Sequence, residues 1–228
     1  MSIDEIYDRQ AKAYEAMVSK QPDLSDIIHG IRSYEGLDVL DLGAGSGRIS
    51  LLLAPDVKSL ICTDISEPML HILDEKLSEA YDSRNWTTVV ADHRSLPVDS
   101  SSVDLVVSGW SISYLANSGE ADCHENLRLV MAELRRVLRP GGTMIILETM
   151  GTGTEKPNPP HFLTDYYAGL EQEYGFNYRW IRTDYVFDLV EEAQRSTGFF
   201  FGQELTDKIR ANQWSTVPEC AGIWWKHF

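Results

Sequence analysis

The chain has 228 residues, 43% of them hydrophobic, which is enough to bury the core of one ordinary globular domain. Its 35 acidic residues outnumber its 20 basic ones, and the resulting net charge of −15 repels nucleic-acid phosphates and anionic lipid headgroups, so neither nucleic acid nor membrane is expected as a partner. The opening MSIDEIYDRQ is acidic where a secretory signal would be basic, and no apolar run reaches the length of a membrane span, so a soluble cytoplasmic protein is expected. Cys62, Cys123 and Cys220 are odd in number, far apart and without metal-ligand spacing, which predicts neither a disulfide scaffold nor a metal site.

Along the chain, short β-like runs alternate with helical patterns, the mark of a doubly wound α/β fold with a mostly parallel sheet. The predicted strands are LDVLDL (37–42), SLICTD (59–64), TTVVAD (87–92), VDLVVSG (103–109) and TMIILET (143–149). SEPMLHILDEKLSEAY reads as a helix with Ser66 at its N-cap and Pro68 tolerated in its first turn. From Glu120 to Leu138, apolar residues Leu127, Val130, Met131, Leu134 and Leu138 recur at three- and four-residue intervals, and Arg139-Pro140-Gly141-Gly142 stops that helix. The last third differs: GTGTEKPNPPHF is a loop, DYYAGLEQEY a helix and FNYRWIRTDYVF an aromatic strand. A helical pair then spans Leu189 to Asn212, and CAGIWWKHF closes the chain as a strand. Trp224 and Trp225 are adjacent on that strand and must face opposite sides. Phe199, Phe200 and Phe201 are expected in the core.

The stretch VLDLGAGSGRIS, 39–50, places three glycines in five positions directly after a strand. Ligands of open parallel sheets bind beyond the carboxyl ends of the strands, and a glycine backbone lets a ligand approach without meeting a Cβ. Three carboxylates surround this turn: Asp41 before it, Asp64 at the end of the second strand, where it can accept both hydroxyls of a ribose, and Asp92 at the end of the third. A dinucleotide fingerprint needs a third glycine where Arg48 stands, and a pyrophosphate would want positive charge or bare amides. Gathered carboxylates suit instead a ligand carrying an ammonium and a sulfonium.

VLDLGAGSG, the Asp64 of TDIS, ADHRSLP, VDLVVSGW and LRRVLRPGGTMIILE together resemble, in order and spacing, the motifs of class I S-adenosylmethionine-dependent methyltransferases of the small-molecule type that carry a methyltransferase domain 11. The resemblance covers about residues 1 to 149. It implies a Rossmann-like seven-stranded sheet with an antiparallel last strand, helices on both faces, and S-adenosylmethionine as cofactor. On that resemblance Asp41 and the backbone of Gly43, Ala44 and Gly45 surround the methionine portion, Asp64 holds the ribose, and Asp92 reaches the adenine amino group. Ile65 and Met69 pack on the adenine, and Ser108 lies near the methionine end. Tyr7 and Tyr14 match an aromatic pair that folds over the cofactor, while His93 departs from the small residue usual at its position and leaves open whether an imidazole edges the adenine pocket. The chain is then one domain: 1–35 a helical lid, 36–149 the cofactor-binding core, and 150–228 a substrate-side loop with the final strands.

Methyl transfer is an in-line displacement from an activated donor, so alignment is the main requirement and no obligatory catalytic triad is expected. Trp110, Tyr114 and Glu148 follow the fourth and fifth strands and are expected in the acceptor pocket, and His161 is the candidate general base because histidine titrates near neutrality. The expected partner is a small-molecule methyl acceptor; a second copy in a homodimer is compatible with the sequence. Two other functions compete: a non-catalytic S-adenosylmethionine-binding or regulatory protein, and a nicotinamide-dependent reductase, which would need the loop to tolerate Arg48.

Overall fold

The computed structural model describes residues 13–228. After helical residues 13–18 and the helix Ser25–Ile31, the strands in chain order are β1 (Asp38–Leu42), β2 (Ser59–Asp64), β3 (Trp86–Val90), β4 (Val103–Gly109), β5 (Leu138–Thr152), β6 (Asn177–Arg182), β7 (Tyr185–Val186), β8 (Thr216–Val217) and β9 (Glu219–His227). Seven of them form one sheet in the order β3-β2-β1-β4-β5-β9-β6, and β7 pairs antiparallel with β8. The pairings of β1 with β2 and β4, of β2 with β3 and of β4 with β5 are all parallel. At its two ends β5 and its flanks bond to the segment around β9 in reverse order, the Gly141 amide to the Phe228 carbonyl and the Gly153 amide to the Pro218 carbonyl, which makes β9 antiparallel to β5. The expected seven-stranded α/β sheet is therefore present.

β1 is buried along its whole length, and β4 and β5 nearly so, because a parallel sheet covered by helices on both faces has no solvent side. The two ends of β1 treat their acids differently. At the start of the strand, Asp38 meets the Lys58 ammonium at 3.0 Å, the Arg139 guanidinium at 2.9 Å and the Ser59 hydroxyl at 2.7 Å. The Ser59 hydrogen bond, aided by those cations, brings its carboxyl down to about 2. Asp41, three residues on, has no cation among its hydrogen-bond partners and is described below.

Several boundaries differ from the sequence expectation. β5 begins at Leu138 and runs to Thr152, so Arg139-Pro140-Gly141-Gly142 ends the helix Cys123–Val137 but belongs to the strand, with Gly141 at φ 80°. The pairing with β4 steps over these residues, from Val103–Leu138 to Leu105–Thr143, while Gly141 and Gly142 bond to Phe228, so the local turn signal survives as a bulge inside the strand. The helix after β2 is Glu67–Ala80 with Pro68 in its first turn, but the Ser66 side chain makes no capping bond; the Asp64 carboxylate accepts from the Ser66 amide instead. The aromatic strand expected over 176–187 is interrupted, with β6 and β7 separated at Thr183 and Asp184.

The chain divides into two compact units. One comprises residues 24–148, 160–179 and 223–228. Within it Trp224 is fully buried, its ring stacked on Tyr167 at 4.6 Å and on Tyr178 at 4.9 Å, with its indole N–H reaching Glu171 at 3.2 Å. Trp225, half-buried, turns the other way toward Arg179, as strand alternation requires. Of the described residues, the other unit comprises 13–23, 149–159 and 180–222. Its core is Met17, Val18, Tyr185, Phe187, Ala193, Leu205, Ile209 and Val217. Tyr14 and the three consecutive phenylalanines pack against that core partly buried, with Tyr14 and Phe200 ring centroids 5.4 Å apart. Tyr7 lies outside the described residues.

Candidate functional site

The GAGSG turn leaves β1 and enters the helix Ser50–Leu53. Its three glycines all have positive φ. A Cβ on Gly43 would sit 1.8 Å from the Ser111 hydroxyl oxygen, and one on Gly47 would sit 2.5 Å from a Leu73 methyl, so both are close approaches within the protein. A Cβ on Gly45 would meet nothing within 4 Å, which makes this glycine the one that faces open space.

The amides of the turn are consumed internally. Gly43 and Ala44 both donate to the Thr63 carbonyl at 2.8 and 2.9 Å, Gly47 donates to the Ala44 carbonyl at 2.9 Å, and Gly45 donates to Asp64 at 2.9 Å. Asp64 thus ties the turn to the start of the following helix, one oxygen accepting from Gly45 and the other from Ser66. Phosphate-binding turns work through amides aimed outward at the anion, and these four are not so aimed.

The site offers acceptors instead. Asp41 is fully buried; one oxygen accepts from the Ser50 hydroxyl at 2.5 Å, and the other is buried with no hydrogen-bond partner. Burial pushes its carboxyl up to about 7, against the Ser50 bond and helped by the nearby Asp64 charge. Ser108, in register with Leu42 on β1 and Ile146 on β5, is buried with its hydroxyl unpartnered. Asp92 lies apart from these two in character, since Arg94 holds its carboxylate at 2.6 and 2.9 Å and keeps it below the ordinary carboxylate range. Of the two residues expected against an adenine, Ile65 is 70% exposed at the end of β2 whereas Met69 is 2% exposed and belongs to the core. Ile65 therefore bares an apolar side chain next to the Asp64 carboxylate, whereas Met69 is not available at the surface.

His93 is buried near the start of the loop that follows β3, and its Nε2 lies 2.6 Å from the Ser111 hydroxyl. Burial holds its pKa below the ordinary histidine value, against the pull of Asp64 and Asp92. Nothing in the sequence pattern pointed to Ser111, which lies 68 residues from the glycine it covers.

Among the residues expected around the acceptor, Trp110 has φ 51°, a conformation rare for a side chain of its size, and is held there by its amide on the Leu147 carbonyl at 2.7 Å. The Arg48 guanidinium stacks on its ring 3.4 Å from the centroid. Tyr114 follows, about two-fifths exposed, on the short helix Ser113–Ala116. Glu148 is fully buried near the end of β5, accepting from the Ser113 amide at 3.0 Å and, more distantly, from the Tyr166 hydroxyl at 3.4 Å, while its second oxygen is buried with no partner. His161 opens an exposed 3-10 turn, His161–Leu163, which is tied to this region by the Ser118 amide donating to the Phe162 carbonyl at 2.9 Å. The expected acceptor residues therefore fall into three settings: Trp110 stacked, Glu148 sealed, Tyr114 and His161 toward solvent.

Burial pushes Glu148 from 4.5 up to about 7. The folded chain keeps a proton there that the unfolded chain releases above pH 4.5, so this acid favours folding fully at low pH and the benefit is lost as pH rises toward 7. Denaturant unfolding of wild type and Glu148→Gln at pH 4.5 and pH 8 checks this. The variant is expected to lose about 3 kcal/mol less over that interval, and parallel losses would show that the carboxyl ionises normally.

Among the described residues no cluster of His, Cys, Asp or Glu could hold a metal ion, the three cysteines are free, and no helix is long and apolar enough to cross a membrane.

Residues 40–146 match the family model for a methyltransferase domain. The phosphoethanolamine N-methyltransferase 1 of Triticum aestivum is 30% identical over 143 residues, 60% of this chain and 27% of that protein. The ubiquinone/menaquinone biosynthesis C-methyltransferase UbiE of Acidiphilium cryptum is 39% identical over 111 residues, 48% of this chain and 41% of that one. The chain thus spans well under half the length of these curated relatives. A solved S-adenosylmethionine-dependent methyltransferase from Aquifex aeolicus, 17% identical, superposes with a TM-score of 0.60 over 94% of this chain and 96% of its own, which shows a shared fold. Residues 40–146 thus carry the match to a methyltransferase domain, on a sheet that shares its fold with a solved S-adenosylmethionine-dependent methyltransferase.

Proposed function

We propose that the chain transfers a methyl group from S-adenosylmethionine to a small-molecule acceptor. The observation that carries this reading is the polarity of the glycine turn: the amides of Gly43, Ala44, Gly45 and Gly47 are bonded within the protein, while Asp41, Asp64 and Ser108 present acceptor oxygens, and Asp41 Oδ1 and the Ser108 hydroxyl are buried without a hydrogen-bond partner. Such a donor-poor site fits a cationic amino-acid and ribose ligand and does not fit a pyrophosphate. When bound, the cofactor supplies a methyl group on a positively charged sulfur. Asp64 would hold the ribose, Asp41 and Ser108 the methionine end, and Ile65 the base.

What the chain itself has to do is exclude water and align the acceptor, an effect worth up to about 7–11 kcal/mol of barrier in favourable cases. The Trp110 to Ala116 segment and the turn at His161 stand on the acceptor side, and His161 is the residue we assign as general base, its exposure matching a group that must exchange its proton with solvent. The relatives' names include a phosphoethanolamine and a quinone methyltransferase, which supports a small acceptor without choosing between nitrogen and carbon.

S-adenosylhomocysteine is expected to raise the melting temperature of the full chain and NAD is not, since only a ligand that prefers the folded state stabilises it by mass action. An equal rise with NAD would reverse the assignment. Incubation with labelled methyl donor and a metabolite extract then separates an enzyme, which labels a small molecule, from a binding protein, which labels none. In the same assay His161→Asn should keep the cofactor affinity and lose most of the turnover; wild-type turnover would remove the base from His161.

A further inference from the structure

The loops that follow β3 and β4 meet above the glycine turn through one side-chain contact. His93, from the first loop, and Ser111, from the second, are both more than nine-tenths buried, with the imidazole Nε2 2.6 Å from the hydroxyl oxygen. Gly43 exists in its bare form to admit this pair: an added Cβ would overlap the Ser111 Cβ at 2.3 Å and its oxygen at 1.8 Å, and would press on the His93 Nε2 at 3.3 Å. The three residues come from three strand ends and were not joined by any sequence motif.

Burial disfavours the charged form of the imidazole, and the charged groups that face it are Asp64, Asp92 and Arg94. A neutral imidazole has one donor and one acceptor nitrogen. Nε2 is satisfied by Ser111, while Nδ1 is buried with no hydrogen-bond partner among the described residues. His93 directly follows Asp92, at the end of the site where the base and ribose of a nucleoside would lie. The other partner, Ser111, follows Trp110 and accepts at its carbonyl from the Tyr114 amide at 3.2 Å, so it starts the turn that carries Tyr114.

We infer that the His93–Ser111 hydrogen bond is a positioning link: a nucleoside that engages Nδ1 of His93 fixes the ring and its tautomer, and the ring fixes Ser111 and with it residues 110 to 116 on the acceptor side. The inference rests on the methyltransferase reading of the site. It makes the acceptor segment ordered when the nucleoside end is filled, and it assigns His93 and Ser111 a shared role that neither has alone. Substituting either residue interrupts the same link.

The test is hydrogen exchange of the full chain, with and without S-adenosylhomocysteine or adenosine, in wild type, Ser111→Ala, His93→Ala and the double variant. In wild type both ligands should slow exchange in residues 110 to 116 by about tenfold or more, the size set by one added neutral hydrogen bond in a buried segment. In Ser111→Ala the dissociation constant for S-adenosylhomocysteine should change less than about threefold while the ligand-induced protection of that segment is lost; in a coupled pair the double variant should add nothing to either single change. Turnover should fall about tenfold in Ser111→Ala and recover in Ser111→Thr, which restores the hydroxyl. Wild-type protection in Ser111→Ala, or single effects that add in the double variant, would overturn the link. If wild type fails to bind S-adenosylhomocysteine at all, the functional reading falls first and the link falls with it, an outcome distinct from binding without coupling.

Discussion

Asp64→Ala is expected to weaken S-adenosylhomocysteine binding by about 100-fold or more, with the fold retained in circular dichroism. The carboxylate does two things in the structure before any ligand arrives: it accepts from the Gly45 amide at 2.9 Å and from the Ser66 amide at 2.9 Å. Removing it releases the only glycine of the turn that faces open space and uncaps the helix Glu67–Ala80. Hydrogen bonds to a charged group contribute about 1.5–3 kcal/mol each, and the loss of pre-organisation adds to the loss of the ribose contact itself. Two such bonds correspond to the stated factor or more. Asp64→Asn should fall between, because it keeps one acceptor oxygen. Calorimetric titration decides the matter, and a dissociation constant within about threefold of wild type in Asp64→Ala would show that the residue only shapes the loop.

Trp224→Ala should cost about 3–5 kcal/mol of unfolding free energy, the range for deleting a large buried aromatic, whereas Trp225→Ala should cost less than about 1 kcal/mol. The neighbours differ because alternation on β9 sends one indole between Tyr167 and Tyr178 with its N–H on Glu171, and leaves the other half-buried beside Arg179. Urea denaturation of the two variants measures this directly. Equal losses would mean that the stack around Trp224 relaxes into the vacated volume.

Much of the fold was legible because its signals are local or periodic. Continuous apolar runs announced β1, β2 and β4, the three- and four-residue spacing announced the helix that ends at Val137, and the order of elements announced a parallel sheet. The failures share one cause, the dominance of long-range partners over local propensity. Arg139 to Gly142 reads as a turn in isolation, yet β5 incorporates it as a bulge that the β4 pairing steps over and that bonds to the distant Phe228. Ser66 has the composition of a cap, yet the carboxylate two residues earlier takes the role.

The glycine turn and the acids that follow each strand were legible for the same reason, since they are fixed by local sequence. What packs on them was not: Ser50 on Asp41, Ser111 on Gly43 and Tyr166 beside Glu148 are contacts between distant segments that no spacing rule links. His161 stands at the surface on a turn whose attachment to Ser118 was equally hidden. The division of the chain into two compact units also has no compositional boundary to announce it.

Gly47 carries a lesson for anyone wishing to retool this pocket. Its bare α-carbon lets Leu73 nestle against the bend, the job that a dinucleotide fold gives to a residue one place later, where here Arg48 lies flat on Trp110. Exchanging one cofactor class for another therefore demands sliding the whole bend by one residue against the neighbouring helix and evicting a stacked guanidinium. Point substitution at position 48 alone would leave both the helix contact and the inward-facing amides where they are, and so would yield an inert protein instead of a reductase.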